Sequence, residues 1–294
     1  MTDKVKAYCF SGGGVGGLLT LRIMKHFLGE DFYPWKDAFM LSGTSVGGLL
    51  AGTFAVRRCS VRDMIDLFND NVSKIFSRNW LWPLPGVRKY SKSGIRNFLE
   101  KNIGNLTFDQ VGPNLLFPVN SRRKRRGMYL KTSKHPNMRV SDAMEASMSA
   151  PWYFGAKEII VKEKSGKEYK DSLQDGGLFA NNPALVSLVE LVSFLNLSHA
   201  NLEIISFGTG IFDSKDHPMS APFSAILDAF DGFSDLLENS TDYVPHVGRA
   251  VSEVSKNVSY KHYDYLLEDD YEMDSVTDIT KICQSLKEDR FCEK

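Results

Sequence analysis

The chain has 294 residues, 43% of them apolar, which is enough for one large core or two small ones. Thirty-six basic residues balance thirty-six acidic ones, so no global charge draws in nucleic acid or a membrane, and any electrostatic attraction must come from a local patch. The start of the chain lacks an apolar core of signal-peptide type, and no apolar run approaches the roughly 20 residues that span a bilayer, so the sequence predicts a soluble, cytoplasmic protein.

Val5 to Phe10 reads as a buried strand, Ser11 to Gly17 as a glycine loop, and Leu18 to Leu28 as a helix with Leu21, Met24 and Leu28 on one face. Ala38 to Ser42 is a second short strand, and past Gly43-Thr44-Ser45-Val46-Gly47 an apolar helix runs on through Val56. Ser60 caps the clearest amphipathic helix, in which Val61, Met64, Ile65, Phe68, Val72, Ile75 and Phe76 follow i, i+3, i+4, i+7 spacing. Asn79 to Tyr90, rich in tryptophan and proline, is an ordered loop before a helix carrying Ile95, Phe98, Leu99 and Ile103. Leu115 to Asn120 and Met128 to Thr132 are two strands joined through Arg122-Arg123-Lys124-Arg125-Arg126. Ser141 is expected to cap a short helix that Pro151 stops. Ile159 to Val161 is a strand, and the polar stretch Glu163 to Lys170 a surface loop. Asp175 to Asn182 is rich in turn residues, Pro183 opens a helix over Ala184 to Phe194, and Leu202 to Phe207 is a strand ending at Gly208-Thr209-Gly210. The last third is expected to be mostly helical. Four cysteines, Cys9, Cys59, Cys283 and Cys292, have no zinc or redox spacing and are expected to be free thiols. Alternating strands and helices without a repeat or linker indicate one α/β domain over residues 1–294.

Three segments carry chemistry. Gly12-x-Gly14-x-x-Gly17 fits a dinucleotide turn, an oxyanion hole of converging glycine amides, or a plain tight turn. The first reading needs an acidic residue about 20 positions on, at the end of a second strand, where Asp31 and Asp37 stand in poor context. Gly43 to Gly47 has the pattern of a nucleophile elbow, a strained strand-to-helix turn that thrusts out a serine hydroxyl. It favours the oxyanion-hole reading of the earlier loop. A conventional triad would add a late histidine, for which His246 and His262 are in order. Asp175-Gly176-Gly177-Leu178-Phe179-Ala180-Asn181-Asn182-Pro183 offers a carboxylate on a glycine turn, or only a capped helix start.

Together with Ala146-Ser147-Met148-Ser149-Ala150-Pro151-Trp152-Tyr153-Phe154 and Ser206-Phe207-Gly208-Thr209-Gly210, these segments occur in the order seen in patatin-like phospholipases. The chain resembles a single patatin domain, with its motifs in about residues 5–210 and a mainly helical C-terminal extension. The resemblance implies a three-layer α/β/α fold around a mostly parallel sheet. It implies a dyad of Ser45 as nucleophile and Asp175 as general base, without a histidine, metal or cofactor. It also implies an oxyanion hole from Gly12, Gly13 and Gly14 with help from Val46, supported by Gly17, Gly43, Gly47, Gly176 and Gly177. The reaction implied is hydrolysis of fatty acyl esters of phospholipids or lysophospholipids. Because an exposed aspartate, with pKa about 3.9, is a poor base near neutrality, Asp175 is expected to be partly buried. One departure stands out: the family's loop carries Arg or Lys where this chain has Gly16, which removes a fixed cation. The rival expectations are a carboxylesterase with a Ser-His-Asp triad and a non-catalytic nucleotide-binding or regulatory protein.

A lipid substrate implies contact with a bilayer. Trp80 and Trp82, with Leu81, Leu84 and Val87, form either an apolar membrane-touching loop or a cover for the core. Arg122, Arg123, Lys124, Arg125 and Arg126 form a patch for anionic headgroups, each charge worth about 1 kcal/mol, a solvated turn or, as a weaker third reading, a nuclear-import or nucleic-acid patch. Nucleic acid is not expected as a partner. Some members of the family need an activating partner or nucleotide, which the sequence does not identify.

Overall fold

Alternation in the strand Val5–Phe10 (β1) sends Tyr8 and Phe10 to one apolar cluster and Ala7 and Cys9 to another. The same split recurs along the neighbouring strands, and that is how one sheet comes to carry a helical layer on each face. The computed structural model describes residues 4–82, 84, 86–212, 243–268 and 273–294. Pro83 and Pro85 of the tryptophan-rich loop lie outside the described residues.

Besides β1, the sheet contains Met40–Gly43 (β2), Asn114–Ser121 (β3), Arg126–Lys131 (β4), Lys157–Lys162 (β5), Glu168–Asp175 (β6), Leu202–Phe207 (β7), Ile211–Phe212 (β8), Val258–Leu267 (β9) and Phe291–Glu293 (β10). Its order is β10-β9-β7-β1-β2-β3-β6-β5, with β4 on β3 and β8 on β9. The central run from β9 through β7, β1 and β2 to β3 is parallel, whereas β10, β4, β6 and β5 pair antiparallel to their neighbours. The larger cluster packs Gly17–Leu28 (α1), Val46–Arg57 (α3), Val61–Ile75 (α4), Lys92–Asn102 (α5), Val140–Ser147 (α6) and Val276–Gln284 (α10) against one face. The smaller places Ala184–Val189 (α8) and the helical residues 243–254 (α9) against the other, through Ala184 and Val244. Two short helices, Pro34–Asp37 (α2) and Gly177–Ala180 (α7), complete the described set.

Ser60 caps α4 in a capping box closed by Asp63. Four local expectations change. Ser141 is not a cap: α6 starts after Arg139, and the Ser141 hydroxyl donates to the Gly104 carbonyl 3.1 Å away. The stretch expected as a loop over Glu163 to Lys170 becomes strand at Glu168, because Tyr169, Asp171, Leu173 and Asp175 alternate into the interior. Pro183 sits just before α8 rather than inside it, and the helix loosens to a π turn at Glu190–Phe194. In the last third, β9 is a ten-residue strand hydrogen-bonded parallel to β7, so that region is not mainly helical among its described residues. No helix among the described residues is long and apolar enough to cross a membrane.

Candidate active site

Parallel strands deliver the turns after β1, β2 and β7 to one edge of the sheet, the usual place for a site in such folds. The turn after β2 is an elbow. Ser45 has φ 53°, a left-handed conformation that a non-glycine residue adopts only when its surroundings enforce it. The enforcement is visible: the Ser45 amide donates to the Ser147 hydroxyl at 3.0 Å, and Ser147 donates to the Pro118 carbonyl at 3.0 Å. The Thr44 hydroxyl reaches the Ala180 carbonyl at 2.7 Å, tying the elbow to the segment after Asp175. At Gly47 an added Cβ would stand 2.1 Å from the Phe10 carbonyl oxygen, so α3 can leave the elbow this close to β1 only with glycine there.

Asp175 arrives from the opposite direction. Since β6 runs antiparallel to β3, its end lies level with Val119, next to the elbow. The carboxylate is 4% exposed, accepts the Gly177 amide at 2.8 Å and faces the same cavity as the Ser45 side chain. Burial is the largest influence on it and pushes its pKa up to about 6; the nearby Ser45 side chain and the Gly177 amide pull the other way. The expected partial burial of Asp175 is therefore exceeded. Its backbone is held on both sides, the amide donating to the Ser149 carbonyl at 3.1 Å and the carbonyl accepting the Asn120 side chain at 3.0 Å. Ser147 thus holds the Ser45 backbone and Ser149 the Asp175 backbone, roles that the sequence motif around them does not reveal.

The glycine loop lies over this pair. Gly12 does not serve as expected, because its amide already donates to the Asn181 carbonyl at 3.1 Å, while Asn181 Nδ2 donates back to the Gly12 carbonyl at 3.2 Å. The amides of Gly13, Gly14 and Val46 have no acceptor among the described residues, and Val46 begins α3, where the helix dipole adds positive potential. Gly14 is left-handed at φ 57°, and a Cβ there would meet the Met273 carbonyl oxygen at 1.9 Å. That carbonyl accepts the Val15 amide at 2.8 Å, so a segment remote in sequence roofs the loop. Gly16, where a cation was expected, turns its amide to the Gly13 carbonyl at 2.9 Å. The dinucleotide reading fails on position: Asp37 precedes β2 and binds Lys6 and the Tyr8 hydroxyl, and Asp31 pairs with Arg62.

Ser45, Asp175, Gly13 and Gly14 line one cavity of about 40 Å³, walled by Phe76, Met148, Tyr153 and Phe154 and roofed by Met273 and Asp274. Asp274 is ion-paired with Lys89. Neither candidate histidine lines it. His262 is buried against Asp264 at 3.2 Å, and His246 is exposed beside Arg249. Of the loop residues, Trp80 is 87% and Leu84 55% exposed, so they do not cover the core.

A model of the family described as patatin-like phospholipase matches residues 8–188. The chain is 27% identical over 232 residues to a cGAMP-activated phospholipase of Escherichia coli (strain TW11681), covering 70% of this chain and 62% of that protein. It is 29% identical over 213 residues to a cGAMP-activated phospholipase of Pseudomonas aeruginosa (strain BWHPSA011 / Pa011), covering 68% and 60%. Among solved structures, VipD from Legionella pneumophila aligns over 99% of this chain and 68% of its own at 12% identity and TM-score 0.44. The chain thus spans about three fifths of the length of the two curated relatives. With most of its residues inside the family model, and the elbow, glycine loop and buried aspartate meeting at one cavity, the chain belongs to the patatin-like phospholipase family.

Proposed function

We propose that the chain is a lipid acyl hydrolase that cleaves fatty acyl esters of phospholipids or lysophospholipids with Ser45 and Asp175 alone. The observation that carries this reading is that a strained Ser45 at the start of a helix shares one cavity with a buried carboxylate whose pKa is lifted to about 6. Such a carboxylate is ionised near neutrality yet more basic than an exposed one, as a proton acceptor must be. Asp175 takes the hydroxyl proton as Ser45 Oγ bonds to the ester carbonyl carbon, and the carbonyl oxygen becomes an oxyanion before the amides of Gly13, Gly14 and Val46. Collapse breaks the bond to the alcohol, which leaves with the proton from Asp175. Water then attacks the acyl-serine, gives its proton to Asp175 and releases the fatty acid as that proton returns to Ser45.

A lipid substrate fits the aromatic and methionine walls. At about 40 Å³ the cavity is too small for an acyl chain, so Met273, Asp274 or the walls must shift to admit one. Exposed Trp80 and Leu84 lie on the loop that continues to Lys89, the partner of Asp274, which supports peripheral membrane contact beside the entrance.

Mass spectrometry of products from mixed liposomes tests the reading. Fatty acid and lysolipid are expected from the intact chain, and at least about a thousandfold less from Ser45→Ala and from Asp175→Asn. Activity retained in Asp175→Asn but lost in His262→Gln would establish the triad instead. Running the assay with and without cGAMP tests whether the activation named for the relatives extends to this chain. Absence of turnover and of fluorophosphonate labelling at Ser45 under every condition would leave the non-catalytic reading.

A further inference from the structure

The basic run between β3 and β4 divides by direction. Arg123 and Lys124 turn to Tyr169: the Arg123 guanidinium lies 4.9 Å and the Lys124 ammonium 4.5 Å from the ring centroid, and Lys124 Nζ donates to the phenol at 2.7 Å. Arg122, Arg125 and Arg126 instead line a separate cleft of about 450 Å³ with Asn120, Ser121 and Gln174. Among the described residues none of these three arginines has a carboxylate partner. Three unneutralised guanidinium groups around one cleft repel each other, and an anion in their midst removes that repulsion.

The cleft is held by fixed backbone. Ser121 Oγ donates to Asp171 at 2.6 Å and accepts the Lys124 amide at 2.9 Å; the amides of Arg123 and Ser172 also donate to Asp171. Asp171 is buried, and its charge is taken up by these donors. Arg122 is pinned through its amide to the Ser172 carbonyl at 3.0 Å, Arg126 is paired with Ser121 in the ladder, and Arg125 adopts φ 49° between them. Alternation places Asn120 and Gln174, a ladder pair, on the face opposite the side chains of Val119 and Asp175. Among the described residues none lines both this cleft and the catalytic cavity.

We infer that this cleft binds a phosphate group, held by Arg122, Arg125 and Arg126 with the Asn120 and Gln174 amides as further donors. Guanidinium forks match the tetrahedral oxygens of phosphate in pairs, and three cations suit a phosphate better than a single carboxylate. The group belongs either to a lipid headgroup or to a soluble phosphate compound. The inference goes beyond the proposed hydrolysis and does not require it.

The test uses Ser45→Ala protein, so that turnover plays no part. Calorimetric titration with inorganic phosphate is set beside sedimentation with phosphatidylcholine vesicles with and without phosphatidic acid. The triple variant Arg122→Gln, Arg125→Gln, Arg126→Gln is expected to weaken binding by about tenfold or more, and Arg123→Gln with Lys124→Gln by less than about twofold. Loss in the vesicle arm identifies a lipid source, and loss in the phosphate arm alone a soluble one. Each single Arg→Gln variant, expected to weaken binding by about threefold, serves if the triple variant fails to match the parent thermal melt. The inference is overturned if neither arm depends on the three arginines, or if the Arg123, Lys124 double variant loses as much.

Discussion

Asp175 meets two demands that normally conflict. A carboxylate that accepts a backbone amide and has a serine hydroxyl nearby would ordinarily be a stronger acid than one in water, but burial overrides both influences and leaves its pKa at about 6. On the proposed mechanism the free enzyme must carry Asp175 ionised to accept the Ser45 proton. kcat/KM is therefore expected to fall as pH drops through about 6, by close to tenfold per unit well below it, and to level off above. A profile of ester hydrolysis against pH checks this, and a limb near 4 would mean that the carboxylate is not desolvated during turnover. The identity of this residue was legible because its glycine neighbours are distinctive. Its basicity was legible only as an expectation of burial, since the desolvation comes from residues that the fold brings in from elsewhere. The engagement of the Gly12 amide was not legible at all: glycine has no side chain to betray which way its N–H points, and the acceptor is the Asn181 backbone.

At the scale of the element, the parts read best from sequence were those whose burial is apolar and local. β1, β2 and α4 declared themselves through continuous or helical apolar patterns, and the elbow through glycine. β6 did not, because two of its four inward positions are Asp171 and Asp175, so a correct alternation looks polar. β9 hid for the same reason: His262 and Asp264 are buried as a pair, each making the other tolerable. Sequence patterns price buried polar groups by their unpaired cost, and the pairing is known only from the fold. The elbow gives a direct test of packing between elements. Gly47→Ala would improve helix propensity, yet its Cβ would collide with the Phe10 carbonyl oxygen of β1. The expected result is a net destabilisation of about 3 kcal/mol in denaturant unfolding, together with loss of fluorophosphonate labelling at Ser45.

On the scale of the molecule, stability has its own pH dependence, separate from catalysis. His135 is fully buried, its Nδ1 accepts the Lys131 amide at 3.2 Å, and burial and then Lys134 press its pKa down to about 4. As pH falls below about 6.5, the unfolded chain takes up a proton that folded His135 refuses, so stability is lost between there and about 4. Asp175 acts with the opposite sign, because a raised carboxylate pKa favours the folded state as it protonates. In an Asp175→Asn background the acid loss is expected to reach about 3 kcal/mol, and to shrink when His135→Gln is added. Unfolding titrations at about pH 7 and about pH 4 measure both. The roof over the glycine loop has a consequence in time. Val15 donates its amide to Met273, and Asp274 reaches back to Lys89. During synthesis Ser45, Asp175 and the glycine loop therefore emerge long before the segment that closes over them, so the cavity takes its final shape only when residue 274 has left the ribosome.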